Sequence, residues 1–209
     1  MKIGIVGAGM IGSTLAKLWA DAGHDVIVSS RHPDELLDLV ERIGARATPG
    51  TPLEAAAFGQ IVLLTVPLKS IPDLANELKQ ELAGKIVMDT GNAYERRDGM
   101  AATDATSDPN GSAAWAAAMF PGARWVKAFN TVYFKTLLSE AHREGDRVGI
   151  PLASDDGDAL DVVAELVRNA GFDPVIIGAL ARGKEFEPNT PMYNTGKSGR
   201  ELRAFFGVG

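Results

Sequence analysis

Three glycines near the N-terminus constrain this chain more than any other feature. Gly7, Gly9 and Gly12 have G-x-G-x-x-G spacing, and they directly follow the uncharged, mostly β-branched residues 3–6. Such a run is typical of a strand buried on both faces of a parallel sheet. Between a strand and a helix, the first glycine permits a tight turn, the second lets the backbone approach a pyrophosphate, and the third lets the helix pack on the strand.

The residues after the glycines predict a helix and a second strand. Leu15, Leu18, Trp19 and Ala22 recur at helical spacing, and the apolar run at residues 26–28 follows. A strand, a helix and a strand at this spacing predict a dinucleotide-binding unit, in which the helix N-terminus faces the phosphates. The predicted contacts of this turn with the dinucleotide are Gly7, Gly9, Met10, Ile11 and Gly12.

The end of the second strand favours NADP over NAD. Enzymes that use NAD usually place Asp or Glu there to bind the ribose 2′-hydroxyl, whereas this chain reads Ser29-Ser30-Arg31. Without a carboxylate, nothing repels a 2′-phosphate, and Ser30 and Arg31 offer a hydroxyl and a bidentate guanidinium. We therefore predict that residues 29–31 bind NADP. The alternative for Arg31 is a solvated loop residue.

The rest of the chain alternates between strand and helix patterns. This alternation predicts a doubly wound, mostly parallel α/β sheet of the Rossmann type, formed by residues 1–209 as a single NADP-binding domain. Residues 178–209 are predicted to be a short C-terminal extension that packs on the sheet or on a partner subunit. The later predicted strands are residues 44–48, 61–66, 85–88, 124–129, 147–153 and 174–177.

Three local predictions depend on turn-forming residues. Residues 93–111 are polar and contain glycine, which predicts a long loop bordering a site. Asn130 is predicted to cap a helix that continues to about His142. Pro151 makes the strand at 147–153 an expected edge strand, because proline cannot donate to the ladder.

Two predicted strands end in residues suited to ligand contact. Thr65, Val66 and Pro67 close one strand, and Thr90, Gly91 and Asn92 follow another. Open α/β sheets bind ligands at the carboxyl ends of their strands, where such groups could contact a nicotinamide. The alternatives are that Pro67 only terminates its strand and that residues 89–92 form an Asx turn.

Composition narrows the class of protein. The 209 residues carry 21 basic and 27 acidic side chains, a net charge of −6, which argues against non-specific nucleic-acid binding. The chain has no cysteine, so disulfides and thiolate catalysis are excluded. We expect no metal site, no membrane-spanning segment and no signal peptide, and hence a cytoplasmic location.

Four segments together resemble the NADPH-dependent reductases of the deazaflavin coenzyme F420, which share a nucleotide-binding fold with the cytoplasmic domain of membrane ferric reductases. The segments are the glycine turn, Ser29-Ser30-Arg31, Thr65-Val66-Pro67 and residues 126–131. The resemblance implies that Ser30 and Arg31 bind the 2′-phosphate. It also implies a nicotinamide and flavin pocket lined by residues 65–67, residues 89–92, Ala128, Phe129 and Asn130.

The resemblance also implies an activity and an assembly. The activity is hydride transfer between NADPH and F420 or a flavin, which needs stacked rings and no catalytic side chain. Archaeal F420 reductases carry a histidine near the position of Asn130, and this difference leaves the identity of the hydride acceptor open. The family and the apolar C-terminal cluster at residues 202–206 favour a homodimer.

Two other functions fit the same sequence. One is NADPH-dependent reduction of a small carbonyl or imine, which needs a proton donor such as Tyr94 or Tyr133. Larger enzymes of that kind add a helical C-terminal domain, and only about 50 residues follow Ala159 here. The other is a non-catalytic NADP-binding redox sensor.

Arg31→Ala should weaken NADPH binding more than NADH binding. The variant loses a charge-assisted contact that only the 2′-phosphate makes, worth about 1.5–3 kcal/mol. Titration of both nucleotides into the wild type and the variant measures the difference. Equal losses for NADPH and NADH would contradict the role of Arg31.

Overall fold

The computed structural model describes residues 1–209 and places eight strands in one sheet. The strands are β1 (Lys2–Val6), β2 (Asp25–Ser29), β3 (Ala47–Gly50), β4 (Ile61–Leu64), β5 (Ile86–Asp89), β6 (Arg124–Lys127), β7 (Gly149–Ala153) and β8 (Asp173–Gly178). The helices are α1 (Met10–Asp21), α2 (Leu37–Ile43), α3 (Pro52–Phe58), α4 (Ile71–Leu82), α5 (Glu95–Asp98), α6 (Met100–Ser107), α7 (Ser112–Ala117), α8 (Phe134–Glu140), α9 (Gly157–Asn169) and α10 (Gly199–Phe206). Three short 3₁₀ helices cover Pro33–Leu36, Leu68–Ser70 and Leu180–Phe186.

The strand order is β3-β2-β1-β4-β5-β6-β7-β8. Strands β1 to β6 are parallel to one another, and β7 and β8 run in the opposite direction as a parallel pair. The first six positions have the order of the doubly wound nucleotide-binding fold, which confirms the predicted fold class. This order reverses direction between β1 and β4, and ligands bind at such switch points.

Alternate side chains of the central strands pack on opposite faces of the sheet. In β4, Ile61 and Leu63 join the apolar core beneath α1 and α9, while Val62 and Leu64 join the core beneath α3 and α4. Both faces are covered by helices, so the strand is apolar at every position rather than at every second one. Trp19 of α1 is fully buried in the first core, and its indole N–H donates to the carbonyl of Leu166 at 2.9 Å.

Two predicted strands differ from the structure at their prolines. The strand predicted at 44–48 is β3, shifted to Ala47–Gly50, with Pro49 opposite Val28 at the outer edge of the sheet. The prediction that β7 is an edge strand is wrong, because β7 lies between β6 and β8 and is buried throughout. The ladder tolerates Pro151 because β6 and β7 pair only at Lys127 and Ala153.

The prediction of a long loop at residues 93–111 is also wrong, because this segment contains α5 and α6. Gly99 adopts a φ of 56° between the two helices, a left-handed conformation that favours glycine. Ala102 and Ala105 of α6 are fully buried, so the helix packs through small side chains that give little periodic signal in the sequence.

The extension at residues 178–209 packs on the sheet of its own chain. Phe186 and Leu202 join the core formed by Ala153, Val175 and Ile177 of β7 and β8. In α10, Arg203 binds both carboxylate oxygens of Asp173, at 2.7 and 2.8 Å. Across the whole chain, no helix combines the length and the apolar composition that crossing a bilayer requires.

Asp156 joins the start of β6 to the start of α9. Its carboxylate accepts bonds from Nε and a terminal nitrogen of Arg124, at 2.6 and 2.9 Å, and caps α9 by accepting from the Ala159 N–H at 2.9 Å. The bonds from the Arg124 guanidinium, reinforced by the backbone N–H of Ala159, lower the pKa of Asp156 to about 2. The ionised carboxylate therefore stabilises the folded state at neutral pH.

Asp156→Asn should destabilise the protein at neutral pH and not in strong acid. The folded pKa of Asp156 lies below the unfolded value of about 3.9, so its contribution is complete above that value and is lost as the pH falls through about 2. Urea unfolding of both proteins across this range measures the free-energy gap. Asp161→Asn in the same helix is the matched control, because Asp161 is exposed and has no partner for its carboxylate. If the difference in unfolding free energy between the two proteins stayed constant down to pH 2, the stabilising role of ionised Asp156 would be contradicted.

Candidate cofactor cleft and active site

The glycine turn between β1 and α1 contains two different kinds of glycine. A Cβ at Gly12 would lie 2.1 Å from the carbonyl oxygen of Gly7 and 2.7 Å from Cγ2 of Thr65, so only glycine fits. A Cβ at Gly9 would have no atom within 4 Å. Gly9 also begins α1 without a side-chain cap, and the first turn carries no acidic residue. The free N–H groups and the open space at Gly9 suit a pyrophosphate.

A cavity of about 560 Å³ lies beside the turn, at the carboxyl end of β2. Arg31 is exposed on its wall, and no side chain or carbonyl of the protein accepts a bond from its guanidinium. Ser30 accepts the backbone N–H of His32 at 2.9 Å, which shapes the loop. Ser29 is fully buried and donates to the carbonyl of Ile5 at 2.9 Å, so its hydroxyl is already used inside the sheet.

A second cavity of about 300 Å³ lies on the other side of the turn. It shares Val66 and Pro67 with the first cavity, so the two adjoin at the carboxyl ends of β1 and β4, and we refer to them together as the groove. We call the second cavity the inner cleft. Its walls are Gly9, Met10, Ile11, Thr65, Val66, Pro67, Thr90, Gly91, Asn92, Tyr94, Arg97, Phe129, Asn130, Val132, Tyr133, Phe134, Tyr193 and Asn194.

The structure brings nearly all of the predicted site residues into this groove. The exceptions are Gly12, which lies beneath the turn, and Asp89 and Ala128, which line neither cavity. Ala128 is fully buried, and its N–H donates to the carbonyl of Asp89 at 3.0 Å. Ala128 therefore continues the ladder between β5 and β6 instead of facing the cleft.

The sequence left open whether residues 89–92 line a ligand site or form an Asx turn. In the structure they do both. Asp89 forms an Asx turn, because its Oδ1 accepts the Gly91 N–H at 2.6 Å. Its Oδ2 lies 3.3 Å from Nζ of Lys127, and both side chains are buried. Lys127 also donates to the carbonyl of Gly91. This internal pair holds the loop, while Thr90, Gly91 and Asn92 line the inner cleft.

The chain bends sharply at Phe129, on the wall of the inner cleft. Phe129 has a φ of 59°, a left-handed conformation that is strained for a bulky residue. Edge-to-face contacts with Trp19 and Phe172, at centroid distances of 6.0 and 6.3 Å, hold the ring in place. Backbone strain of this kind often accompanies functional sites, and Asn194 in the same cleft has a φ of 56°.

The predicted helix cap at Asn130 is wrong, because the bend at Phe129 turns Asn130 into the protein. Helix α8 begins after Tyr133 instead. The side-chain amide of Asn130 donates to Oδ1 of Asn92 and to the carbonyl of Phe186, both at 3.1 Å. Its Oδ1 is buried and has no partner in the protein. A buried acceptor without a partner in the cleft wall fits a ligand that carries an N–H group.

Several residues of the groove escaped the sequence reasoning. Lys69 is a second exposed cation in the cavity of Arg31, and its position just after Pro67 at a strand end was the available signal. Arg97 lies in the segment predicted as a loop. Tyr94 lies in the same segment, and the sequence indicated it only as a proton donor for the alternative carbonyl or imine reductase. Tyr193 and Asn194 come from the C-terminal extension, where no local pattern indicated a site.

No histidine lines either cavity. His24 is buried elsewhere, with its Nδ1 3.2 Å from the N-terminal amine and its Nε2 2.7 Å from Oδ1 of Asn169. No group of three or more histidine, aspartate or glutamate side chains is arranged to hold a metal ion.

Comparison with known proteins agrees with this geometry. Residues 2–93 match the family described as NADP oxidoreductase, coenzyme F420-dependent. The F420-dependent NADP reductase of Methanothermobacter marburgensis is 31% identical over 205 residues, which cover 92% of this chain and 90% of that enzyme. The chain belongs to the family of F420-dependent NADP oxidoreductases. Its sequence resemblance to this family is thereby confirmed.

Two further relatives of this family member show how far the likeness extends. The metalloreductase STEAP3 of Rattus norvegicus is 30% identical over 186 residues, which are 89% of this chain and only 36% of that protein. The solved structure of SMa0349 from Sinorhizobium meliloti is 31% identical, with a TM-score of 0.78 and 92% of each chain covered.

Gly9→Val should abolish NADPH binding and leave the fold intact. The Cβ of the new side chain enters the open space beside the helix N-terminus and meets no protein atom within 4 Å, so the stability cost should be limited to about 1 kcal/mol, the loss expected for a poorer N-cap residue. Fluorescence titration of NADPH and urea unfolding measure the two effects. Unchanged NADPH affinity would refute the role of this turn.

Two matched variants separate binding from folding. Gly12→Ala places a methyl group against the carbonyl of Gly7, and it should cost about 1–3 kcal/mol of stability. Gly157→Val lies at the open start of α9, away from both cavities, and should leave NADPH binding unchanged.

Proposed function

We propose that this protein transfers hydride between NADPH and a deazaflavin acceptor of the coenzyme F420 type. The observation that carries the proposal is the two-part groove on either side of the glycine turn. One part is lined by the free cations Arg31 and Lys69 together with the carboxylates of Asp73 and Glu77, and the other is a cleft with polar and apolar walls. A dinucleotide laid across the turn would extend into both parts.

Specific residues of the groove support this placement of NADP. Arg31 and Lys69 are exposed cations suited to the 2′-phosphate, and the opening of α1 at Gly9 suits the pyrophosphate. Oδ1 of Asn130 offers an unused acceptor to a carboxamide N–H at the inner cleft. These contacts would hold the nicotinamide end of the molecule among the residues of the inner cleft.

The walls of the inner cleft suit the approach of a second flat ring. Met10, Ile11, Val66 and Pro67 supply apolar surface, which favours stacking and excludes water from the reacting carbons. NADPH supplies the hydride, and the protein's part in that step is to hold the two rings at reacting distance. The relative from Methanothermobacter marburgensis is named for both molecules.

The proposal is tested by following NADPH oxidation with F420, FMN, FAD and a ferric chelate under identical conditions. Turnover with F420 well above that with the other three is the expected result. Preferential turnover with a flavin or with iron would assign a different acceptor. NADPH binding without turnover of any of the four would contradict the proposal and favour the small-carbonyl reductase or the redox sensor.

The homodimer and the cytoplasmic location predicted from the sequence belong to this proposal as well. Phe205 of α10 is half exposed, and it packs edge to face on Phe206 at a centroid distance of 5.0 Å. An exposed aromatic side chain on the terminal helix is consistent with contact between two copies. Light scattering on the same sample would contradict the dimer if it gave the mass of one chain.

A further inference from the structure

Two tyrosine hydroxyls meet at the inner cleft from distant parts of the chain. Tyr94 precedes α5, and Tyr193 lies in the extension before α10. Their hydroxyl oxygens are hydrogen-bonded to each other, and both residues line the cleft. The N–H of Asn194 donates to the carbonyl of Thr131 at 2.9 Å, which ties the segment of Tyr193 to the cleft wall.

The hydrogen bonds around this tyrosine pair leave one proton free. Nδ2 of Asn92 lies 3.5 Å from the hydroxyl oxygen of Tyr94 and 3.4 Å from that of Tyr193, and it donates to the carbonyl of Asn130 at 2.9 Å. An amide nitrogen only donates, so the phenol oxygens are the acceptors. Of the two phenol protons, one lies between the oxygens. The other is not bound by any group of the protein.

The surroundings of the pair hold the two phenols in a fixed position. Burial and the hydrogen bond with Tyr94 raise the pKa of the Tyr193 hydroxyl, and the positive charge of Arg97 acts in the opposite direction. The guanidinium of Arg97 lies 4.8 Å from the ring centroid of Tyr94. Arg97 is itself held by Asp98 and by the carbonyl of Asn92, both at 2.8 Å. The pair is thus preorganised beside the loop at residues 89–92, with a positive charge nearby that would stabilise the phenolate left after proton donation.

We propose that the Tyr94–Tyr193 pair donates the proton that accompanies hydride transfer in the inner cleft. The inference rests on the proposed function. The C–H bond at nicotinamide C4 breaks with its electron pair, and a C–H bond forms at a ring carbon of the acceptor. The electron pair displaced within the acceptor ends on a conjugated ring nitrogen or carbonyl oxygen, which takes the phenol proton. The resulting phenolate regains a proton from water.

The pair therefore defines a class of acceptor. It must be a conjugated heterocycle that accepts hydride at carbon and becomes basic at a ring nitrogen or carbonyl oxygen. Ring stacking alone places no such demand on the acceptor. Asn92 takes part as a positioning residue, because its amide contacts both phenol oxygens and does not itself carry a transferable proton.

The test compares the wild type with Tyr94→Phe, Tyr193→Phe and the double variant, using NADPH and F420. General acid catalysis is typically worth 10²–10⁴-fold, so kcat of the double variant should fall by roughly 100-fold or more. Each single variant retains one phenol and should fall by less. The KM for NADPH should stay within about twofold, because the pair lies in the inner cleft and not beside Arg31.

A solvent isotope effect distinguishes proton donation from a structural role. In the wild type, deuterium oxide should slow the hydride-transfer step, and this effect should be lost or changed in the double variant. Thermal unfolding and NADPH titration establish that the variants are folded. A double variant that keeps both kcat and the isotope effect would overturn the role of the tyrosine pair and leave the proposed function standing. A wild type that does not turn over F420 would overturn the proposed function and this inference with it.

Discussion

The close approach of α1 to β1 and β4 is the constraint on which the site depends. Gly12 leaves no room for a methyl group between the helix and the carbonyl of Gly7, so the first turn of α1 lies directly at the strand ends. That position directs free N–H groups into the groove and leaves Gly9 facing open space. A looser helix would separate the two cavities from the glycine turn, and a dinucleotide could not reach both.

The parallel ladder of β4, β5 and β6 brings the other walls of the cleft to the same edge. Lys127 and Asp89 are opposite each other in that ladder and form a buried ion pair. Burying two charges costs desolvation energy, and the loss of one partner would leave the other uncompensated. The pair therefore favours one conformation of residues 89–92, and the residues of this loop present Asn92 to both Asn130 and the tyrosines.

The sequence located residues of the groove correctly where their position depends on neighbours in the chain. The glycine spacing, the missing carboxylate at Ser29-Ser30-Arg31 and the strand ends at Thr65 and Thr90 each indicated their part of the groove, because a strand end and its loop are local features. It failed at Asn130, where the positive φ of Phe129 redirects the chain, and at residues 93–111, whose small buried alanines give no amphipathic pattern.

The sequence by itself determined the fold class, the glycine turn between the first strand and helix, and the family, because hydrophobic periodicity and glycine geometry act within a few residues. Only the tertiary structure decided the chemistry of the inner cleft. Tyr94 and Tyr193 are 99 residues apart in the chain, and their contact depends on how the extension folds back over β7 and β8. Local preferences carry no information about such a contact, since it arises from the packing of separate elements into one core.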